Sequence, residues 1–123
     1  MTSKEMAELA AKVLDEKLAE NIVIIEVAEK SSFADYLVLA NGKNQRQVVS
    51  LADDIEDALA KEGQLPKGIE GRGNTGWVLL DMGDIIVNIF DRDMRDKYSI
   101  EKVWGDCPII EYGAGNKVEG FDN

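Results

Sequence analysis

Histidine is absent, so the commonest general base and metal ligand is missing from this chain. A single cysteine, Cys107, excludes an intrachain disulfide and a cysteine-cluster zinc site, and fits a reducing compartment. Its neighbours in Asp106-Cys107-Pro108 put a carboxylate beside the thiol, which disfavours the thiolate, and no base is there to partner it. A nucleophilic role is not expected. Basic residues are scarce: 14 Lys and Arg face 24 Asp and Glu, for a formal net charge of −10. Phosphate backbones reward cationic side chains, so little direct nucleic-acid binding is expected, and a basic protein partner suits the charge better. No run approaches the ~18 consecutive apolar residues of a membrane-spanning helix. The start, MTSKEMAELA, carries neither a signal-peptide core nor an Arg-rich transit pattern, so the expected location is the cytoplasm, with no membrane partner.

What is present is enough apolar material for one core, 45% of 123 residues. Its densest alternation lies in GWVLLDMGDIIVNIFDRDMRDKYSIEKVWGDCP, residues 76–108, which also holds both tryptophans. Strict alternation on both sides of Asp81-Met82-Gly83-Asp84 predicts a β-hairpin, read with Met82-Gly83 at the tip and Asp81 facing Asp84. Val78, Leu80, Ile85, Val87 and Ile89 then share one wholly apolar face, which belongs against a core. Trp77, Leu79, Asp81, Asp84, Ile86, Asn88 and Phe90 share the other. Large apolar groups set among carboxylates and an amide there fit the anchors and rim of an interface.

The remaining elements follow from spacing. Thr2 and Glu5 form a capping box, and Met6, Leu9, Ala10, Val13, Leu14 and Leu18 predict a helix over 3–20. Asn21 breaks it, and IVIIEV (22–27) predicts a strand. DYLVLA (35–40) is apolar enough to be a central strand covered on both faces, ending at Asn41-Gly42. Asn44 and Gln47 cap a second helix marked by Val48, Leu51, Ala52, Ile55, Ala58 and Leu59, which Gly63 terminates and Pro66 forbids from continuing. A loop over 67–74 with a short edge strand near Ile69 leads into the hairpin. Asp91 opens a short helix carrying Met94, Arg95 and Tyr98, and Ser99 caps one further turn through Trp104. The expected fold class is a single small α/β domain, a mixed sheet of about five strands packed with two long helices. Residues 1–111 form the domain, and 112–123, with three glycines and little apolar content, form a frayed tail.

Catalytic readings are weak. Asp81 and Asp84 could be paired metal ligands, but turn hydrogen bonding explains aspartates at a hairpin tip more simply. Asp53, Asp54, Glu56 and Asp57 make a solvated helix face. The run Gly71-Arg72-Gly73-Asn74-Thr75-Gly76 fits a dinucleotide fingerprint in letters only, because it precedes a strand where the fingerprint follows one. No catalytic residue, cofactor or metal is expected. Trp77, Leu79, Met94 and Tyr98 stand out instead as candidate interface anchors, since aromatics and arginines are typical hot spots.

GWVLLDMGDIIVNIF (76–90) followed by MRDKYSIEKVWGDCP (94–108), with DYLVLANG (35–42) and RQVVSLADDIEDAL (46–59) upstream, closely resembles the Iojap family, the ribosomal silencing factors. The resemblance spans about three quarters of the chain, in the right order and spacing. It implies a pared-down nucleotidyltransferase-type fold without the catalytic motif, and a non-enzymatic repressor of translation. The implied partner is the large ribosomal subunit, through its basic ribosomal protein fourteen, with the small subunit kept from joining. The implied binding residues are Trp77, Leu79, Met94 and Tyr98 as anchors, Arg95 as a polar clamp, and Asp81, Asp84 and Glu101 facing basic groups, with Trp104 either a further interface residue or a closure of the core under the C-terminal segment. A nucleotide-binding descendant of the same fold, and a homodimer burying the Trp77 face against itself, are the alternatives. The chain departs from the family pattern at Asn88, where many members carry histidine, at Met82, and at Lys43-Asn44-Gln45.

Overall fold

The computed structural model describes residues 1–73 and 75–112. Helix α1 (Ser3–Glu16) opens with the expected capping box, Glu5 N donating to Thr2 Oγ1 at 3.0 Å and Thr2 N to Glu5 Oε1 at 2.8 Å. Met6, Ala7, Ala10, Ala11, Val13 and Leu14 form its buried face. The helix stops four residues short of the predicted end. Leu18 takes a left-handed φ of 65°, its N–H donating to Asp15 O while Ala19 N donates to Leu14 O. That pair of bonds is a Schellman ending with leucine where glycine is usual, and it turns Leu18 outward, 70% exposed, instead of extending the apolar face.

Strands β1 (Glu20–Glu26) and β2 (Tyr36–Gly42) pair antiparallel, with a register shift between Glu20 and Val23. Asn21, expected to break the helix, lies within β1 at a φ of 50°. Helix α2 (Gln45–Lys61) starts at the predicted cap, Asn44 Oδ1 accepting from Gln47 N at 2.8 Å, and ends in a second Schellman motif with Gly63 in the left-handed position. The expected edge strand is β3 (Gly68–Glu70), and the hairpin is β4 (Trp77–Asp81) and β5 (Ile85–Asp91). Helices α3 (Arg92–Tyr98) and α4 (Ile100–Val103) follow, then β6 (Ile109–Tyr112).

The sheet order is β3-β4-β5-β2-β1-β6, with only β2 and β5 parallel. The α/β class and mixed sheet are as expected, with six strands in place of five. The extra one is β6, which pairs with β1 and takes in Tyr112, placed by sequence in the tail; the rest of that expected tail, 113–123, lies outside the described residues.

The hairpin turns one residue later than predicted. Trp77 pairs with Phe90 and Leu80 with Val87, and Met82 N donates to Ile85 O at 2.9 Å, so the two-residue loop is Gly83-Asp84. Relative to the expected pairing β5 slides by two residues. An even slip leaves each side chain on its own face. Val78, Leu80, Ile85, Val87 and Ile89 accordingly lie in the core beneath α1 and α2, joined by Met82. The other face carries a second, smaller core: Val23, Ile25, Leu37, Leu39 and Phe90, closed by Cys107 and flanked by Trp77, Ile86, Met94, Ile100 and Trp104. The segment after β5 thus covers the middle of this face and leaves the outer hairpin around Leu79 half-buried.

Candidate partner-binding face

Trp77 is the centre of the uncovered face. Its indole lies between Phe90, with ring centroids 5.0 Å apart, and Tyr98, at 4.9 Å, both tilted. Such pairs contribute about 0.5–1.5 kcal/mol each beyond burial. Trp77 Nε1 donates to Asn88 Oδ1 at 3.0 Å, a diagonal contact across the hairpin that fixes the plane of the ring. Tyr98 is 41% exposed. Beside the stack, Glu70, Gly71, Thr75, Trp77, Leu79 and Met94 line a groove of about 340 Å³. Its floor is apolar, and Glu70 at its edge makes no ion pair among the described residues. Glu70 is there because β3 pairs it with Leu79, a neighbour that no local sequence pattern announces.

The Tyr98 side of the stack is held by two devices. At the first, Gly76 adopts a φ of 78° with its carbonyl accepting from Asp91 N at 2.8 Å. Asp91 in turn caps α3, its Oδ1 accepting from Met94 N at 2.8 Å. The approach is so close that a Cβ on Gly76 would sit 2.5 Å from Asp91 Oδ2. The second device is a polar relay under α3 and α4. Arg92 Nε and Asn41 Nδ2 both donate to Glu20 Oε1 at 2.8 Å. Asn41 Oδ1 accepts from Arg95 Nη1 at 3.4 Å, and Arg95 Nη2 reaches Glu101 Oε2 at 2.7 Å. Hydrogen bonds from Arg92 hold the Glu20 carboxyl below the usual glutamate range. Burial pushes the Glu101 carboxyl up, but bonding and charge from Arg95 outweigh it and leave it lowered as well.

The nine sequence-predicted residues therefore fall into separate groups. Trp77, Leu79, Met94 and Tyr98 come together at the stack and groove. Arg95 is only 8% exposed and engaged with Asn41 and Glu101, so both members of that pair face each other inside the chain, where a clamp and a partner-facing carboxylate were expected. Burying the long guanidinium stem under α3 explains the difference, since a charge there demands an internal counter-charge. Asp81 and Asp84 sit at the hairpin tip, about 13 Å along β4 from Trp77, and Asp81 Oδ1 accepts from Gly83 N at 2.9 Å. That is the turn bond expected of it; among the described residues no cluster of three acidic, cysteine or histidine groups could hold a metal ion. Trp104 is partly buried against the second core. Ser99, expected to cap α4, makes no side-chain cap; its Oγ donates to Asp96 O at 2.9 Å, and its φ is 27°.

Comparison with known proteins matches residues 1–121 to the family described as ribosomal silencing factor during starvation. The chain belongs to that family. It is 36% identical over 115 residues to the ribosomal silencing factor of Bacillus subtilis, covering 94% of this chain and 98% of that one. The factor of Zymomonas mobilis is 42% identical over 101 residues, covering 81% of this chain and 75% of the other. A crystal structure of protein CV0518 from Chromobacterium violaceum superposes with a TM-score of 0.83 at 31% identity, over 85% of this chain and 88% of that one. A more distant mouse relative, 22% identical, over 79% of this chain and 44% of its own length, is named for mitochondrial assembly of the ribosomal large subunit. Family membership makes the chain a ribosome-silencing, translation-regulating protein, as the resemblance implied.

Proposed function

We propose that this protein represses translation by docking its Trp77 face on the large ribosomal subunit, on the basic ribosomal protein fourteen, and occluding the small subunit. The observation that carries the reading is the groove itself. A partly buried tryptophan, oriented by Phe90, Tyr98 and Asn88, stands beside an apolar floor of Leu79 and Met94 with Glu70 at the rim. Oriented aromatics in an apolar depression are what interface hot spots require. A net charge of −10 favours encounter with a basic protein surface over bare phosphate. The name of the mouse relative supports the large subunit as the partner. Occlusion needs no cofactor and no reaction, so the protein acts as a non-enzymatic regulator, in the cytoplasm where the subunits meet.

Light scattering from purified subunits mixed with and without the protein tests this. Pre-incubating the large subunit with protein should lower the joining signal in a dose-dependent way, and pre-incubating the small subunit should not. An unchanged joining signal at saturating protein would refute occlusion.

A further inference from the structure

Three of the side chains that line the groove carry polar groups, and two of these are spent inside the chain. Trp77 Nε1 donates to Asn88, and the Thr75 hydroxyl shares its proton between Gly71 O, at 3.0 Å, and Trp77 O, at 2.9 Å. The third is the Glu70 carboxylate. It is exposed, and among the described residues it makes neither a hydrogen bond nor an ion pair. Arg72, its nearest basic neighbour in the chain, is committed elsewhere: its Nη2 pairs with Asp53 Oδ1 at 2.7 Å and with Glu56, both on α2. Lys67 lies over Gly83 at the hairpin tip. The carboxylate is nevertheless carried on a fixed frame. Glu70 stands opposite Leu79 across β3 and β4, which puts both side chains on one face. Gly71 then turns at a φ of 90°, so close to Trp77 O that a Cβ there would collide with it.

We infer that Glu70 is a specificity-determining residue of the docking face, and that the groove takes one long basic side chain, lysine or arginine, from the protein partner. This rests on the docking reading above and names the chemistry of one contact within it. The groove matches such a side chain along its length. Leu79, Met94 and Trp77 offer apolar surface to a methylene stem, and Glu70 at the edge receives the charged head. An acidic side chain would meet an unpaired carboxylate there and be repelled. The other end of the aromatic stack sets the direction. Lys97 Nζ already lies 5.6 Å from the centroid of the Tyr98 ring, so a second cation is disfavoured there and the basic group enters at the Glu70 end.

Binding to purified large subunits at low and high salt tests this, with folding of each variant checked by thermal unfolding. The proteins compared are wild type, Glu70→Gln, Glu70→Lys, Asp57→Asn and Trp77→Ala. Asp57→Asn removes the same charge from α2, on the opposite side of the sheet, and so controls for net charge. The expected result is that Glu70→Gln weakens binding about fivefold at low salt, and Glu70→Lys weakens it further. Both losses should shrink at high salt, where the loss in Trp77→Ala persists, and Asp57→Asn should stay near wild type. A Glu70→Gln protein that binds no worse than Asp57→Asn, while Trp77→Ala is weakened, overturns the role of Glu70 and leaves the docking reading standing. A loss in Glu70→Gln that is undiminished at high salt overturns the basic occupant, because an exposed ion contact is screened. Absence of wild-type binding to large subunits overturns the docking reading, and the Glu70 contact with it.

Discussion

Replacing Gly76 with alanine tests how the groove wall is held. Gly76 has a φ of 78°, and an added Cβ would lie 2.5 Å from Asp91 Oδ2 and 3.1 Å from Met94 Cγ. Two costs arise. The left-handed backbone costs a non-glycine residue about 1 kcal/mol. The clash displaces Asp91 from its bond to Met94 N, and a lost helix cap costs about 1 kcal/mol more. Gly63 provides the control, because it has nearly the same φ, 79°, with nothing within 4 Å of an added Cβ. Gly63→Ala should therefore show the backbone cost alone. At this chain length each kcal/mol moves Tm by about 4 °C, which predicts a drop of about 8 °C for Gly76→Ala and about 4 °C for Gly63→Ala. Urea and thermal unfolding followed by circular dichroism measure both. Gly76→Ala should also change tryptophan emission in the folded state, since α3 carries Tyr98 against Trp77. Equal losses of stability for the two variants would show that the Asp91 contact is unimportant and refute the reasoning.

Leu18→Gly should stabilise the protein by about 1 kcal/mol, because Leu18 holds a φ of 65° while 70% exposed and forfeits little packing; a urea midpoint at or below wild type would contradict this. Arg95→Met should cost about 2 kcal/mol, below the figure for a fully buried pair because the Glu101 side chain keeps 33% exposure, whereas Arg92→Ala at the exposed, solvent-screened Glu20 pair should cost clearly less. Chemical denaturation of both variants ranks them, and a reversed order would sink the assignment of a structural relay. Glu20 and Glu101 have carboxyl groups lowered from 4.5, so the folded state binds fewer protons than the unfolded chain as the pH falls through that value. Their contribution is complete above it and lost as pH falls through the lowered folded values. Urea midpoints from neutral pH downward should fall in this window, and less steeply in Arg95→Met.

Much of this architecture is legible in the sequence because its signals are local. Thr2 with Glu5 and Asn44 with Gln47 name their helix starts directly, through bonds that span three residues. Alternation from Val78 to Ile89 sorts the two faces of the hairpin correctly although it puts the turn one residue early, since a two-residue slip changes partners without changing sides. What escapes is whatever depends on distant pairing. The end of α1 is hidden because leucine occupies a position where glycine would have announced it. Strand β6 is four residues long and gains its identity from β1, some 85 residues earlier in the chain. The candidate anchors Trp77, Leu79, Met94 and Tyr98 can be picked by residue type and spacing. The inward pairing of Arg95 with Glu101 and Asn41 could not, because Asn41 joins it only through the parallel β2–β5 pairing. Phe90 and Glu70 complete the site for the same reason: each is delivered by a strand neighbour.

The most direct test of the central claim is cosedimentation of wild-type and Trp77→Ala protein with isolated large and small ribosomal subunits. Binding to the large subunit alone is expected, weakened about thirtyfold by the substitution, as when a central anchor contributing about 2 kcal/mol is lost. A folded Trp77→Ala protein that binds the large subunit as tightly as wild type would contradict it.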